Sequence, residues 1–145
     1  MGLALLQKGR PSEAIAHWQN AIAIQPDSVD SLNNLAWVLA TFPDSLIRNG
    51  GQALALAERA NQLSGDNNPA ILRTLAAAYA ENGRFTEARV TAERGLQLTK
   101  ALTYAEASAG RQADSALTSI LEGDLARYRA NMPLRTAPQP DNSSP

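Results

Sequence analysis

The chain has 145 residues, 44% hydrophobic but only 5% aromatic, with 19% charged residues, a net charge of −1 and no cysteine. The length fits one domain, and an apolar content made largely of Ala and Leu suits close-packed helices better than strands. Disulfides, thiol catalysis and Cys-based zinc sites are excluded, and with no basic excess to neutralise phosphates, nucleic-acid binding is disfavoured.

Residues 1–8 read as the end of a helix stopped near Gly9, where glycine tolerates the left-handed turn. Pro11 fits the first turn of the next helix, whose apolar stripe is Ala14, Ile15, Trp18, Ala21 and Ile22. Pro26 ends it. Asp27 or Ser28 can cap a helix over 29–41 carrying Leu32, Leu35, Ala36 and Leu39. Pro43 and Asn49-Gly50-Gly51 forbid continuous helix through the following loop. Phe42, Leu46 and Ile47 give that loop apolar groups to bury, so 42–51 is expected to be an ordered excursion.

Helix resumes from about Gln52 to Leu63 through Ala53, Leu56, Ala57 and Ala60. Asn68 and Pro69 form a strong helix start for 69–82, with Leu72, Leu75, Ala76 and Tyr79. Tyr79 and Leu75 are expected in the core, with Gly83 at the helix end. Residues 85–98 follow through Phe85, Ala88, Ala92 and Leu96, then a short helix over Leu102–Ser108. A last helix is predicted over 112–130, with Ala113, Leu117, Ile120, Leu121, Leu125 and Tyr128 on one side and Pro133 as its stop. Residues 131–145 are expected to be a disordered tail, low in hydrophobicity from 136 onward.

A repeat of roughly 34 residues underlies these elements. Ala14 to Ala53 is 39 residues, the period plus a five-residue insert, and Ala53 to Ala88 is 35. The third unit, Leu75-Ala76-x-x-Tyr79, Gly83 and Ala88, resembles the tetratricopeptide repeat. So does the second half of the first unit, Gly9, Ala14, Trp18, Ala21 and Pro26. The likeness covers about residues 1–100. Asn33-Asn-Leu-Ala-Trp-Val-Leu-Ala-Thr-Phe-Pro-Asp44, Asn49-Gly50 and Leu75-Ala-Ala-Ala-Tyr-Ala-Glu-Asn-Gly83 are similar to a bacterial subgroup whose units often end longer proteins. Some of those carry membrane-embedded, sugar-transferase-like regions upstream, and Leu125-Ala-Arg-Tyr-Arg-Ala-Asn-Met-Pro133 resembles their closing segment. The resemblance implies an all-α, right-handed superhelical solenoid of antiparallel helix pairs. Its units are expected at about 1–27, 28–66 and 67–100, with capping helices over 101–130, so that the domain spans 1–130.

No catalytic or metal site emerges from the residues. His17 is the only histidine, and no carboxylate cluster is spaced to join it around a metal. Asn49-Gly50-Gly51 lacks the Lys and Ser/Thr of a phosphate loop. Glu13, Glu58, Glu81, Glu87, Glu93 and Glu106 have Arg or Lys nearby and read as solvated faces. Neither cofactor nor enzyme activity is expected. Instead the inner helices of such a solenoid line a groove, mapped by helical spacing to Asp30, Asn33, Asn34, Trp37 and Thr41 in the second unit. In the third, Arg73, Thr74, Ala77 and Glu81 complete it, beside Ala70. Trp37 reads either as a peptide anchor or as packing against the inserted loop. Trp18, at the repeat's aromatic position, reads as core. Chaperone-binding members of the family clamp a carboxylate with an Asn and several cations. Asn34 matches the Asn, but Ala70 and Thr74 stand where cations belong, so that mode is not expected.

The leading expectation is a non-catalytic scaffold holding a protein or peptide segment in this groove. A docking or regulatory module of a larger, glycosyltransferase-like membrane enzyme and a self-association module are the alternatives. No apolar stretch approaches the ~20 residues that span a bilayer, and the start lacks a basic leader; the cytoplasm is the default location, with no direct membrane insertion. The N-terminal edge is expected to be unfinished, because Met1–Leu6 cannot fully shield Ile15, Trp18 and Ile22. Further repeats upstream or a homodimer joined at that edge would complete it; a frayed first hairpin is the third outcome.

Overall fold

Helix starts and stops follow from side chains that satisfy or spare the terminal backbone groups. Gly9 and Gly83 close their helices at φ 68° and 74°, a conformation that costs glycine little. Asn49 and Asn68 each accept from backbone N–H groups two or three residues ahead, at 3.1 Å from Gln52 and 3.0 Å from Ala70, as helix caps do. The computed structural model describes residues 1–110 and 116–136. These form α1 (Gly2–Gln7), α2 (Pro11–Ile24), α3 (Val29–Thr41), α4 (Gly50–Leu63), α5 (Pro69–Glu81), α6 (Phe85–Ser108) and α7 (Ala116–Arg129). No strand occurs among the described residues.

The helices stack as hairpins. α1 pairs with α2, α3 with α4 and α5 with α6; α3 lies against α5, and α7 packs back on α6 and touches α5. Small residues set the close crossings. Ala14, Ala53 and Ala88 are fully buried at equivalent places, so neighbouring backbones approach with few voids. A volume exchange distinguishes the first unit. Where units two and three bury Ala57 and Ala92, unit one buries Trp18. The space is found at Gly2, equivalent to Ala36 and Ala76, where an added Cβ would overlap the Trp18 indole. Hence Trp18 is only 4% exposed, shielded by a helix of six residues.

The inter-unit turns repeat a polar contact. The Arg59 guanidinium pairs with Asp27, and Arg94 pairs with Asp66 while donating to the Asp66 carbonyl at 2.9 Å. The two aspartates are 39 residues apart and the two arginines 35, the spacings of the buried alanines.

Four expectations are corrected. The break near residue 100 is absent: α6 is one 24-residue helix. Lys100 stands where the repeat would have its proline, and no other breaker interrupts the run. Leu46 is 91% exposed; the 42–49 loop is held by Phe42 and Ile47 against the core, and by Arg48 donating to the Phe42 and Pro43 carbonyls at 2.7 and 2.8 Å. Tyr79 is half-buried, its ring covered by Arg84 at 4.7 Å, whereas Leu75 is core. Finally, the expected disordered tail is ordered at its start: Leu134 is 6% exposed and joins the main cluster. Residues 137–145 lie outside the described residues, as do 112–115 of the last predicted helix.

Candidate functional site

The first helices of the hairpins, α1, α3 and α5, together with the closing α7 carry what we term the inner face; α3 packs on α5, and α7 touches α5. The groove residues read from helical spacing divide into three groups. Asp30 is exposed, and Asn33, Asn34 and Trp37 are half-buried along α3. Thr41, Thr74 and Ala77 are buried; Thr41 still contributes to the wall of an open cleft. Helical spacing places a residue on a face but does not show what covers that face. Thr41 Oγ1 donates to the Trp37 carbonyl at 2.7 Å and Thr74 Oγ1 to Ala70 at 3.3 Å, each satisfied within its own helix. Ala77 shares a packed cluster with Leu125, Tyr128 and Leu134.

The third group, Arg73 and Glu81, is already engaged. Arg73 Nε donates to Asp124 Oδ2 on α7 at 2.6 Å, and Nη2 reaches Oδ1 at 3.4 Å. Its guanidinium also lies 4.3 Å from the Trp37 ring centroid, close enough for cation–π attraction. Glu81 accepts from Arg48 Nε at 3.0 Å on one oxygen and from Arg135 Nη1 at 2.7 Å on the other. The chain's own C-terminal segment therefore covers much of the inner face. α7 ends at Arg129, and Asn131 just beyond it takes the left-handed conformation at φ 55°. The segment then runs through Met132, whose N–H donates to the Arg127 carbonyl at 2.9 Å. Leu134 is buried, and the Thr136 N–H donates to the Thr41 carbonyl at 2.9 Å.

An open cleft of about 570 Å³ remains where α1 and α3 face each other. α3 packs along α5, but α1 makes no comparable approach to α3, and the gap between them is the cleft. Leu3, Leu6, Trp37, Phe42 and Pro43 provide apolar walls, and Asp44 and Thr136 sit at its border. Trp37 lines this cleft beside Phe42 and Pro43 of the loop. Leu3, Leu6 and Phe42 were visible in the sequence only as apolar residues. Asp124 and Arg135 carried no local signal, since their partners lie 51 and 54 residues away.

Burial raises the pKa of the Tyr128 hydroxyl, with the Asp124 carboxylate adding to the effect. Among the described residues no group of His, Cys, Asp or Glu could hold a metal. His17 is exposed on α2, and Asn49-Gly50-Gly51 forms the start of α4. No helix among the described residues is long and apolar enough to cross a membrane.

The TPR repeat family model matches residues 2–41, which span α1 to α3. No curated protein and no solved structure matches the chain. The match and the stacked helical hairpins support assignment to the tetratricopeptide repeat family, whose repeats generally mediate protein–protein interaction.

Proposed function

We propose that the chain is a non-catalytic scaffold that holds an apolar segment of a protein partner in the cleft between α1 and α3. The observation that carries this reading is an open, apolar, Trp37-faced cleft on the inner side of an otherwise tightly packed stack. Aromatic side chains in water-excluding recesses contribute disproportionately to protein recognition, and a stack of rigid helices presents them with little ordering cost. Gln7 and Asp44 supply polar groups in its lining, whereas Asp30 and Asn34 lie on α3 outside it. Arg73 acts indirectly, by bracing the Trp37 ring.

Peptides selected from a random library on the immobilised chain test this. Their affinity should fall at least about tenfold, or ~1.4 kcal/mol, in Trp37→Ala and in Leu6→Glu. It should be unchanged in His17→Ala, exposed on α2 and not part of the cleft lining. Selected peptides that bind Trp37→Ala and Leu6→Glu as well as the parent would refute the assignment.

A further inference from the structure

We propose that the inner face carries a second subsite, for an extended segment with a leucine followed by an arginine. Pro133–Thr136 occupies it in cis, standing in for a partner segment of the same chemistry. The proposal rests on reading the inner face as a binding surface. Three anchors define the subsite. The Leu134 side chain is buried in the cluster that contains Ala77 and Tyr128. Arg135 donates to Glu81 at 2.7 Å. The Thr136 N–H donates to the Thr41 carbonyl at 2.9 Å, and Thr136 Oγ1 approaches the same oxygen at 3.4 Å. Main-chain bonding combined with side chains seated in sequence is how extended peptides are held.

Much of the receiving surface stands without the segment. Glu81 is fixed from the other side by Arg48, which is itself tied to the Phe42 and Pro43 carbonyls. A carboxylate oriented in this way is prepared for a second guanidinium, and such pairs are strong and directional. The Thr41 carbonyl belongs to the last turn of α3, where backbone acceptors have no partner within the helix. The segment also leads into the open cleft, for Thr136 is one of its lining residues. A partner carrying Leu-Arg and then apolar residues could fill both places in one extended run. A segment tethered through α7 competes at an effective concentration in the millimolar range, so a partner's apparent affinity is weakened while the cis segment is seated.

The test titrates a synthetic, end-blocked peptide, Ala-Asn-Met-Pro-Leu-Arg-Thr-Ala, against the full-length parent and a full-length Leu134→Ala/Arg135→Ala variant. Calorimetry and tryptophan emission follow binding. Trp18 is buried, so an emission change reports chiefly on Trp37. The peptide should bind the variant at least about tenfold more tightly than the parent. Peptides with Leu replaced by Ala, or Arg by Glu, should not bind. If the double variant loses helical circular dichroism, Arg135→Gln replaces it, since the Arg135 side chain is 31% exposed and the change removes its charge while leaving Leu134 seated; about threefold tighter binding is then expected. A folded variant that binds no better than the parent, or that binds the Glu-containing peptide equally well, overturns the proposal. Library peptides that depend on Trp37 but show no preference for Leu-Arg would overturn the subsite alone and leave the scaffold reading standing.

Discussion

Asp124→Ala would expose how much the seating of α7 depends on one ion pair. Asp124 is 6% exposed, and both its oxygens face Arg73. Removing one partner of a buried pair costs about 3–5 kcal/mol because a charge is left behind without compensation. Here Arg73 is 26% exposed and can turn toward water, which brings the expected loss to or below the lower end of that range, about 2–3 kcal/mol. For a chain of this size that corresponds to a fall in Tm of roughly 5–10 °C, read by circular dichroism. Asp124→Asn retains an acceptor for Arg73 and should lose less. Completing a cycle with Arg73→Ala isolates the pair, with an expected coupling of about 1–3 kcal/mol. Trp37 emission should change in either single variant, because the guanidinium over its ring is displaced or removed. Independent, additive losses with unchanged Trp37 emission would refute the linkage of α7 to α5 through this pair.

Gly2→Ala drives a methyl group into the Trp18 indole and should cost about 1–3 kcal/mol, with faster amide exchange in α1 and α2 as the check. Tyr79→Ala should lose about 1–2 kcal/mol in chemical unfolding, less than the ~3–5 of a fully buried aromatic, since its ring is half-buried under Arg84. Tyr128 has its folded-state pKa raised, so its contribution is intact below about pH 10 and is lost as pH rises beyond it; Tyr128→Phe should flatten that alkaline decline. Asp66 is held below its ordinary 3.8 by the Asn61 side chain and by Arg94, against opposing desolvation. Its stabilisation is therefore present above about pH 4 and lost as pH falls through the folded-state value. Asp66→Asn should show a shallower acid decline, worth under about 1 kcal/mol for so exposed a pair.

Features governed by short stretches of chain were legible in the sequence: the alanine spacing, the Asn68-Pro69 helix start and the Gly83 stop depend on neighbours a few residues away. The inner face depends on distant ones. Arg73 read as a groove cation because nothing within its own helix reveals Asp124. Ala77 and Thr74 read as groove residues because helical spacing gives direction without giving cover. Pro133 was correctly read as a helix stop, but a stop says nothing about where the chain goes next, and Leu134 went into the core. Lys100 stands in place of the repeat's proline, and its physical meaning is the unbroken α6.

The bond between Thr136 and Thr41 joins residues 95 positions apart. Stacked repeats ordinarily behave as one-dimensional arrays, in which each unit feels only its neighbours and the ends fray separately. A chain that returns from its last helix to its second hairpin is no longer such an array. Its contact order rises, which slows folding, and loss of the terminal segment is coupled to α3 as well as to adjacent α5 and α6. In this chain the last unit acts as a clasp rather than as the next link.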